Sequence, residues 1–453
     1  MPSAIRKPTG TSARYVSIFE RSDDFVIVEK MRKEIVVIGG GFAGINLVKH
    51  LADEADFHVT LVDMNNYNFF PPLLYQVATG FLDVSNICYP FRKLFHDKNN
   101  ISFRLGSLQK VIPEENKVRL STGELAYDYL VLATGTESNY FGMENIRKAA
   151  LPMKTVDDAI EIRNYVLQKM EEATIATDET EKSKLTTVVI AGGGPTGVEI
   201  AGMLAEMRKS ILQKDYPELA GHKAHIYLVD GAPALLTSMS GRSQKYTYDT
   251  LTRMRVKVRL NTQVKDYIND TVIFADGETI QTKILFWTAG VTARVFEGMP
   301  PDSYGRGNRL LADEYNKVTG TRNIYAIGDT CLLTSDENFP QGHPQLAQVA
   351  LQQGKNLADN FIASLYDKRL KSFIYHDKGS LAIIGRSKAV ADLPNPEIHF
   401  NGLMTWVTWL FVHLFSLITY RNRLMTVANW TVAFFTKDQS LRMIVRARPV
   451  RKE

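Results

Sequence analysis

The chain has 453 residues, of which 54 are Lys or Arg, 49 are Asp or Glu, and 45% are apolar. These numbers describe a globular protein with more than one domain and exclude a disordered chain. Cys88 and Cys331 are the only cysteines of the sequence, too few for a disulfide scaffold, an iron–sulfur cluster or a Cys-rich zinc site, so a redox role needs a bound organic cofactor. The net charge of +5 is unevenly placed, because residues 421–453 carry a net charge of +6 and the rest of the chain −1.

Residues 1–30 precede the first strand of the predicted catalytic body and lack the apolar core of a secretory signal. Residues 1–19 contain Arg, Lys, Ser and Thr but no acid, a composition found in organelle transit peptides. The alternative is that Met31 is the true start and that residues 1–30 are a loosely attached extension.

A repeated pattern predicts two copies of one domain. The segment 34–44, EIVVIGGGFAG, is echoed at 187–197 by TVVIAGGGPTG, and the segment 129–135, YLVLATG, is echoed at 284–290 by ILFWTAG. Each glycine-rich segment is a buried-strand pattern that runs into a tight turn, and each is followed by a predicted helix and a strand that ends in an acid. The second copy is expected within or after the first.

The first glycine-rich turn fits the dinucleotide-binding fingerprint G-x-G-x-x-G with Gly39, Gly41 and Gly44. The first glycine permits the tight turn, the second lets the backbone approach a pyrophosphate, and the third lets helix and strand pack closely. The phosphates then bind at the N-terminus of the helix. Asp63, 19 residues after Gly44, is predicted to accept hydrogen bonds from a ribose diol.

The second copy of the fingerprint uses Gly192, Gly194 and Gly197, and its acid is Asp230, 33 residues after Gly197. The longer spacing predicts an extended helix from residue 198 to about residue 219. A carboxylate at position 230 repels a 2′-phosphate, so we expect NADH to be preferred over NADPH.

Two dinucleotide sites in one chain, with no other redox-active group, imply a resident flavin and a visiting nicotinamide. This organisation resembles the two-dinucleotide-binding-domain flavoproteins, and the resemblance covers roughly residues 31–440. It implies an α/β fold of two Rossmann-like domains, glutathione-reductase-like, in which an NADH domain is inserted into an FAD domain. The resemblance also implies that FAD contacts two further segments, whose residues are Ala133, Thr134, Gly135, Gly328 and Asp329.

Within that superfamily the chain resembles the type II NADH dehydrogenases, single-subunit NADH:quinone oxidoreductases of respiratory membranes. The residues that carry the match are PLLYQVATG at 72–80, AQVALQ at 347–352, and an apolar and basic C-terminus. Disulfide reductases and sulfide oxidisers of the superfamily need cysteines beside the flavin that this chain does not have. The implied activity is hydride transfer from NADH to FAD, then two-electron reduction of a membrane quinone without proton pumping.

A predicted helix over residues 345–365 places Gln348 and Gln352 on one face, four residues apart. Two amides on one face could bind the carbonyl oxygens of a quinone, or both could be solvated helix residues. The resemblance favours the quinone, because this glutamine pattern matches the family's quinone-site signature.

Lys378 and Glu199 are the other two candidate catalytic residues. The resemblance places Lys378 near flavin and quinone, where a cation could stabilise reduced flavin or a quinol oxyanion; the alternative is an exposed lysine before a strand. Glu199 is expected in the first turn of its helix, where its charge opposes that of a pyrophosphate. That conflict indicates a role toward nicotinamide and flavin, in proton management or positioning.

Residues 402–420 contain no formally charged side chain, but polar residues recur among them at helical spacing. A second apolar block, 424–436, is too short to cross a bilayer. We expect two amphipathic helices in the membrane interface, with basic residues on anionic lipid headgroups. A single membrane span and a buried or dimer-forming helix pair are the alternatives. His413 is interpreted as a packed or interfacial histidine rather than a ligand, and no metal site is predicted.

The sequence predicts five consecutive segments. They are an N-terminal extension (1–30), the first part of the FAD domain (31–150), the NADH domain (151–290), the second part of the FAD domain (291–370) and a C-terminal membrane-anchoring domain (371–453). The expected partners are a membrane quinone, an anionic lipid surface and a second copy of the chain, without nucleic acid. We expect a peripheral protein on the cytoplasmic face of a bacterial inner membrane, with the mitochondrial inner membrane as the alternative. The alternative functions are a soluble NADH-dependent reductase of an iron–sulfur protein or oxygen, and a non-enzymatic NADH redox sensor.

Overall fold

The computed structural model describes residues 14–21, 24–210, 212–436 and 441–445. They fold into two compact units, each assembled from segments that are distant in sequence. The first unit consists of the described residues up to Asn68, with Pro90–Thr136 and Ala293–His376, and the second of Phe69–Tyr89, Glu137–Thr292 and the described residues from Asp377 onward. Of the N-terminal extension, residues 1–13, 22 and 23 lie outside the described residues.

The strands are short, as is usual in an α/β protein. In chain order they are β1 (Arg14–Arg21), β2 (Asp24–Met31), β3 (Lys33–Ile38), β4 (Phe57–Asp63), β5 (Tyr67–Phe69), β6 (Cys88–Pro90), β7 (Ile101–Leu105), β8 (Leu108–Ile112), β9 (Lys117–Leu120), β10 (Gly123–Ala126), β11 (Tyr129–Leu132), β12 (Glu137–Ser138), β13 (Leu151–Pro152), β14 (Val188–Ala191), β15 (Ile226–Val229), β16 (Val256–Arg259), β17 (Val264–Ile268), β18 (Thr271–Phe274), β19 (Thr279–Gln281), β20 (Ile284–Trp287), β21 (Val291–Thr292), β22 (Leu310–Ala312), β23 (Ile324–Ala326), β24 (Cys331–Leu333), β25 (Ser380–Gly385), β26 (Lys388–Pro394) and β27 (Glu397–Asn401).

The helices are, in the same order, α1 (Phe42–Leu51), α2 (Leu74–Ala78), α3 (Val84–Ile87), α4 (Phe91–Leu94), α5 (Glu144–Ala149), α6 (Val156–Ile175), α7 (Glu179–Thr186), α8 (Pro195–Ser210), α9 (Leu212–Asp215), α10 (Gly241–Arg253), α11 (Ala347–Ser364), α12 (Leu403–Ser416) and α13 (Tyr420–Thr436).

A five-stranded parallel sheet forms the centre of the first unit, in the order β23-β11-β3-β4-β7. The last four residues of β3 are all buried apolar side chains, as in a parallel strand that is covered on both faces. Helix α11 packs against α1, and a Cβ on Gly354 would lie 2.5 Å from the carbonyl oxygen of Ala43. The two helices can approach this closely because residue 354 has no side chain.

The second unit repeats this architecture with the parallel sheet β13-β20-β14-β15-β16. Strand β14 corresponds to β3, β15 to β4, β16 to β7 and β20 to β11, so both sheets have the Rossmann strand order. The two Rossmann-like domains that the sequence repeat predicts are therefore confirmed, with the second copy placed between two parts of the first.

The helix predicted from residue 198 to about residue 219 is wrong at both ends. Helix α8 begins at Pro195 and is described up to Ser210; helical residues are described again from Leu212 to Asp215, and the single turn Pro217–Leu219 follows them. Proline is favourable at the first position of a helix, which explains the earlier start. Pro217 has no backbone N–H and its ring clashes with the preceding turn, so one continuous helix cannot run through it.

The C-terminal part of the second unit consists of the antiparallel sheet β25-β26-β27 followed by α12 and α13. Two helices were expected here and two are present. Trp409 is the buried anchor of α12, and in α13 the side-chain amide of Asn422 donates to the carbonyl oxygens of Ser85, Asn86 and Cys88 at 2.7–3.1 Å. Among the described residues, no helix has both the length and the hydrophobicity needed to cross a membrane.

Candidate functional site

The first glycine-rich turn forms a backbone cradle at the carboxyl end of β3. Gly39 has a φ of +105°, and a Cβ on it would lie 2.3 Å from the carbonyl oxygen of Ala133. A Cβ on Gly44 would lie 1.9 Å from the carbonyl oxygen of Gly39, whereas a Cβ on Gly41 would meet no atom within 4 Å. Two glycines therefore close the turn against the sheet, and the middle one leaves it open on the side where a pyrophosphate can bind.

Asp63 stabilises this cradle from the end of β4. Its carboxylate accepts hydrogen bonds from the backbone N–H of Gly40 at 2.7 Å and of Asn65 at 2.8 Å. Burial raises the pKa of Asp63, and these backbone hydrogen bonds oppose that rise. The sequence predicts only contact with a ribose for this acid, and the structure adds a second task, since the carboxylate also fixes the shape of the turn.

The second unit contains the same cradle. Gly192 has a φ of +111°, and a Cβ on it would lie 2.5 Å from the carbonyl oxygen of Thr288. Gly194 is open, and a Cβ on Gly197 would lie 1.8 Å from the carbonyl oxygen of Gly192. The carboxylate of Asp230 accepts from the backbone N–H groups of the residues at 193 and 232, as Asp63 does in the first unit. Each unit thus has one complete dinucleotide-binding turn.

Residues 328 and 329, which follow β23 in the first unit, lie where α1 and α11 pack together. Gly328 has a φ of +73°, and a Cβ on it would lie 3.0 Å from the Cβ of Ala43. Its N–H donates to Oε1 of Gln353 at 2.7 Å. The carboxylate of the next residue, Asp329, accepts from the hydroxyl of Thr136 at 3.5 Å. Residues 133–136 and 328–329 are therefore brought together in one unit.

Two orphaned hydroxyl groups test whether this region fits a polar cofactor. The side-chain oxygens of Thr134 and Thr330 are buried and have no hydrogen-bond partner among the described residues. A buried hydroxyl without a partner is costly, so both positions suit a ligand that carries hydroxyl or phosphate oxygens. Together with the open cradle at Gly41, these groups fit the ribityl and phosphate portion of FAD.

The sequence does not single out Gln353, although the structure gives it a central place. Its side chain is buried, and its Oε1 holds the backbone of Gly328. One feature of the sequence could have identified Gln353: it lies on the same buried face of α11 as Ala350 and Leu357. A polar residue on a buried stripe needs a hydrogen-bond partner.

Gln348 and Gln352 lie on α11, confirming the predicted helix, and both side chains are half-buried. The amide of Gln352 bonds twice with the backbone of His376: its Nε2 donates to the carbonyl oxygen at 2.9 Å, and its Oε1 accepts from the N–H at 3.0 Å. Lys378 follows two residues later in the chain, at the start of a segment of the second unit, and is exposed.

Glu199 lies in the second turn of α8 because the helix begins at Pro195, so the expectation of a first-turn acid is wrong. Its carboxylate accepts a hydrogen bond from the backbone N–H of Ile383 on β25. Burial raises its pKa to about 8, and this hydrogen bond opposes the rise. One turn further along, a Cβ on Gly202 would lie 1.6 Å from the carbonyl oxygen of Ile384, so α8 packs directly on β25. Glu199 can therefore hold a proton at neutral pH.

A chain of hydrogen bonds connects the segment 72–80 with the C-terminal helices. The indole Nε1 of Trp430 donates to Oε1 of Gln76 at 2.7 Å, and the Nε2 of Gln76 donates to the hydroxyl of Tyr75 at 2.9 Å. Burial raises the pKa of Tyr75 well above its ordinary value, and the nearby charge of Glu199 raises it further. The motif at 72–80 therefore fastens α13 to the interior of the second unit.

His413 occupies an aromatic environment in the same unit. Its ring stacks on Trp409 with the ring centroids 3.8 Å apart and meets Phe70 edge-on. Burial lowers its pKa to about 4, so it is neutral at physiological pH. The described residues contain no group of His, Cys, Asp and Glu side chains arranged to hold a metal ion.

Comparisons with known proteins agree with this geometry. Residues 33–354 match the family model of the pyridine nucleotide-disulphide oxidoreductases, and residues 377–438 match that of the NDH2 C-terminal domain. The chain is 33% identical to the type II NADH:quinone oxidoreductase NdhA of Mycobacterium tuberculosis, over 89% of this chain and 87% of the relative. It is 31% identical to Ndh of the same organism, over 89% of each.

The solved structures share the fold. NDH2 from Plasmodium falciparum in complex with NADH has a TM-score of 0.84 at 22% identity, over 92% of this chain and 100% of that one. The sulfide:quinone oxidoreductase of Aquifex aeolicus has a TM-score of 0.68 at 20% identity, over 92% of this chain and 100% of that one.

Proposed function

We propose that this chain, which belongs to the type II NADH:quinone oxidoreductases of the pyridine nucleotide-disulphide oxidoreductase family, oxidises NADH and reduces a membrane quinone. The observation that carries the proposal is the combination of two complete dinucleotide cradles with a C-terminal domain that matches the NDH2 model. The two cradles provide for a resident dinucleotide and a visiting one, and the C-terminal domain distinguishes the chain from other members of the family.

In the first unit, Gly39, Gly41 and Gly44 receive the pyrophosphate of FAD, and Asp63 fixes the turn and receives the ribose. The segments 133–135 and 328–329 contact the ribityl and phosphate portion. FAD supplies a two-electron carrier between NADH and quinone. The tight packing of α1 on α11 holds these segments in register.

In the second unit, Gly192, Gly194 and Gly197 receive NADH, and Asp230 selects it over NADPH. The carboxylate of Asp230 already accepts two backbone N–H groups, so its position is fixed before a nucleotide arrives. A 2′-phosphate would meet this fixed negative charge, whereas a ribose diol can donate to it.

Glu199 manages protons for the reaction. Forming a quinol requires two protons, and a carboxyl group whose pKa is about 8 exists in both protonation states close to neutral pH. A group with such a pKa is suited to general acid–base work at the pH of the cell.

Gln348, Gln352 and Lys378 are the proposed residues for the quinone. The amide of Gln352 is engaged with the backbone of His376, so its contribution is to position the segment that leads to Lys378. The side-chain NH2 of Gln348 donates to a quinone carbonyl oxygen, and the ammonium of Lys378 stabilises negative charge that develops during reduction.

The C-terminal helices attach the protein to the membrane. Both present large hydrophobic side chains to solvent, and the most exposed are Met404, Phe411, Tyr420, Leu424 and Phe435, whose exposed fractions lie between 61% and 85%. Apolar surface of this extent on paired amphipathic helices is typical of interfacial attachment. We further propose a homodimer on the cytoplasmic face of a bacterial inner membrane, with domain bounds as predicted from the sequence.

Reconstitution into quinone-containing liposomes tests this function. NADH should be oxidised with formation of one quinol per NADH, and a pH indicator inside the liposomes should record no proton uptake or release. Oxidation by a soluble dye without quinol formation would instead favour a soluble reductase, and no NADH oxidation at all would favour a sensor.

A further inference from the structure

The second unit contains a cavity of about 2250 Å³ whose two walls differ in chemistry. One wall consists of apolar residues from α12 and α13, among them Trp406, Leu410, Leu414, Val427 and Phe434. The other wall comes from α8, α10, β16 and the segments around them, and it contains all of the cavity's Lys and Arg side chains, beside apolar residues such as Met203 and Val258. A space with this division accepts an amphipathic molecule along its length.

The charge of the cavity is strongly one-sided. Nine Lys or Arg side chains line it, and Glu206 is its one carboxylate. Burial raises the pKa of Glu206, whereas the backbone N–H of Arg386 and the nearby charges of Lys388, Arg386 and Lys209 lower it, so this single carboxylate faces nine cations. Within the part of the chain that the structure describes, none of the nine cations forms a salt bridge.

Several of these cations are oriented by neutral partners. The guanidinium of Arg208 donates to the carbonyl oxygens of Ala224 and Met254 at 3.1 and 2.8 Å. The ammonium of Lys257 donates to the hydroxyl of Tyr227 at 3.0 Å and lies over its ring. These contacts fix the two side chains through neutral groups, so the cavity keeps a large excess of positive charge, which favours an anionic ligand.

We infer that this cavity binds one anionic phospholipid, with the acyl chains against α12 and α13 and the phosphate on the basic wall. A quinone matches the apolar wall only, because it is neutral, and a nucleotide matches the basic wall only. The C-terminal residues 446–453 carry a net positive charge in the sequence, so they do not have the charge that complements the cavity. The inference rests on the proposed membrane attachment and deepens it, because it assigns headgroup binding to Lys and Arg residues outside the C-terminal tail.

The test uses the full-length FAD-loaded protein in a non-ionic detergent. Dihexanoyl phosphatidylglycerol, dihexanoyl phosphatidylcholine and glycerol phosphate are titrated separately, and thermal unfolding is followed. Phosphatidylglycerol should raise the melting temperature in a saturable manner, and the other two should not. An equal effect of phosphatidylcholine would overturn the role of the basic wall, and an equal effect of glycerol phosphate would overturn that of the apolar wall.

Variants locate the site. The triple variant Lys209→Gln/Lys223→Gln/Arg255→Gln removes three charges from the cavity. Its affinity for phosphatidylglycerol should fall about a hundredfold, because each cation close to an anionic headgroup contributes about a fivefold factor. The control Lys148→Gln/Lys182→Gln/Lys245→Gln removes three ion-paired charges outside the cavity from the same unit and should bind as the wild type does. Equal affinity of the two triple variants would refute the site.

A second readout separates this inference from the proposed function. Phosphatidylglycerol with brominated acyl chains should quench the fluorescence of Trp406 and Trp430, which line the apolar wall, and an absence of quenching would contradict the placement of the chains. Reduction of a short-chain quinone by NADH in detergent is measured on the same samples and should be unchanged in the cavity variant. Loss of lipid binding alone therefore refutes the cavity site, and loss of quinone reduction in the wild type refutes the function.

Discussion

The side-chain amide of Gln352 and the backbone of His376 form a two-point hydrogen-bonded clamp, with distances of 2.9 and 3.0 Å. The clamp ties α11 to the segment that leads to Lys378. Gln348 and Gln352 share a helical face, as the sequence predicts, but both amide atoms of Gln352 already have partners. Gln352 therefore positions the backbone rather than binding the quinone itself.

Replacing Gln352 by Ala should affect quinone reduction and spare the reaction with NADH. Loss of two hydrogen bonds frees the backbone at His376, and we expect kcat/KM for quinone to fall about tenfold, equivalent to about 1.4 kcal/mol. NADH oxidation by a soluble dye should change less than twofold.

Gln352→Glu provides the matched control for the clamp. A carboxylate can still accept from the N–H of His376 but cannot donate to its carbonyl oxygen, so an intermediate rate is expected. If Gln352→Ala and Gln352→Glu are both as fast as the wild type, the clamp has no role in catalysis.

The rate of quinone reduction should depend on pH with an apparent pKa of about 8, which is the pKa of Glu199. We expect the rate of quinone reduction to change across this pKa in the wild type and to lose that step in Glu199→Gln, while dye reduction keeps its profile. A step near pH 8 that persists in the variant would assign it to another group.

The same residue links pH to stability. Its pKa in the folded protein lies above the ordinary glutamate value, so the folded state binds the proton more tightly and loses stability as the pH rises from about 4.5 to 8. Glu199→Gln should therefore melt roughly 2–4 °C higher than the wild type at pH 9 and at nearly the same temperature at pH 5. An equal or lower melting temperature at pH 9 would contradict the raised pKa.

Gly354→Ala should loosen the first unit and its hold on FAD. The new methyl group would lie 2.5 Å from the carbonyl oxygen of Ala43, where neither backbone can yield easily, at a cost of about 1–3 kcal/mol. The amount of FAD per chain, measured from the ratio of visible to ultraviolet absorbance, should fall. Gly241→Ala is the control, since a Cβ there meets no atom within 4 Å, and it should retain FAD fully.

Trp430→Phe removes the hydrogen bond to Gln76 and keeps the aromatic ring. The buried Oε1 of Gln76 loses its donor, which should cost about 1–2 kcal/mol of unfolding free energy in chemical denaturation. Trp406→Phe, on the neighbouring helix, is the comparison and should cost less. Equal stability of Trp430→Phe and the wild type would show that the link does not fasten α13.

The parts of the fold that could be predicted are those written in local patterns. The fingerprints that begin at Gly39 and Gly192 predict tight turns, because glycine is required where the strand and the helix nearly touch. The helical repeat of apolar residues predicts α11. The clamp between Gln352 and His376 could not be predicted, since its partner is a backbone and carries no side-chain signal. The hydrogen bond between Trp430 and Gln76 joins residues 354 positions apart. Hydrophobic periodicity and secondary-structure propensity describe only local segments, so they could not predict this contact.

The most direct measurement is the visible spectrum of the purified protein under anaerobic conditions. We expect a yellow protein whose flavin absorbance bleaches on addition of one equivalent of NADH and returns fully on addition of one equivalent of quinone. A flavin that NADH bleaches but quinone does not restore would contradict the assignment as an NADH:quinone oxidoreductase.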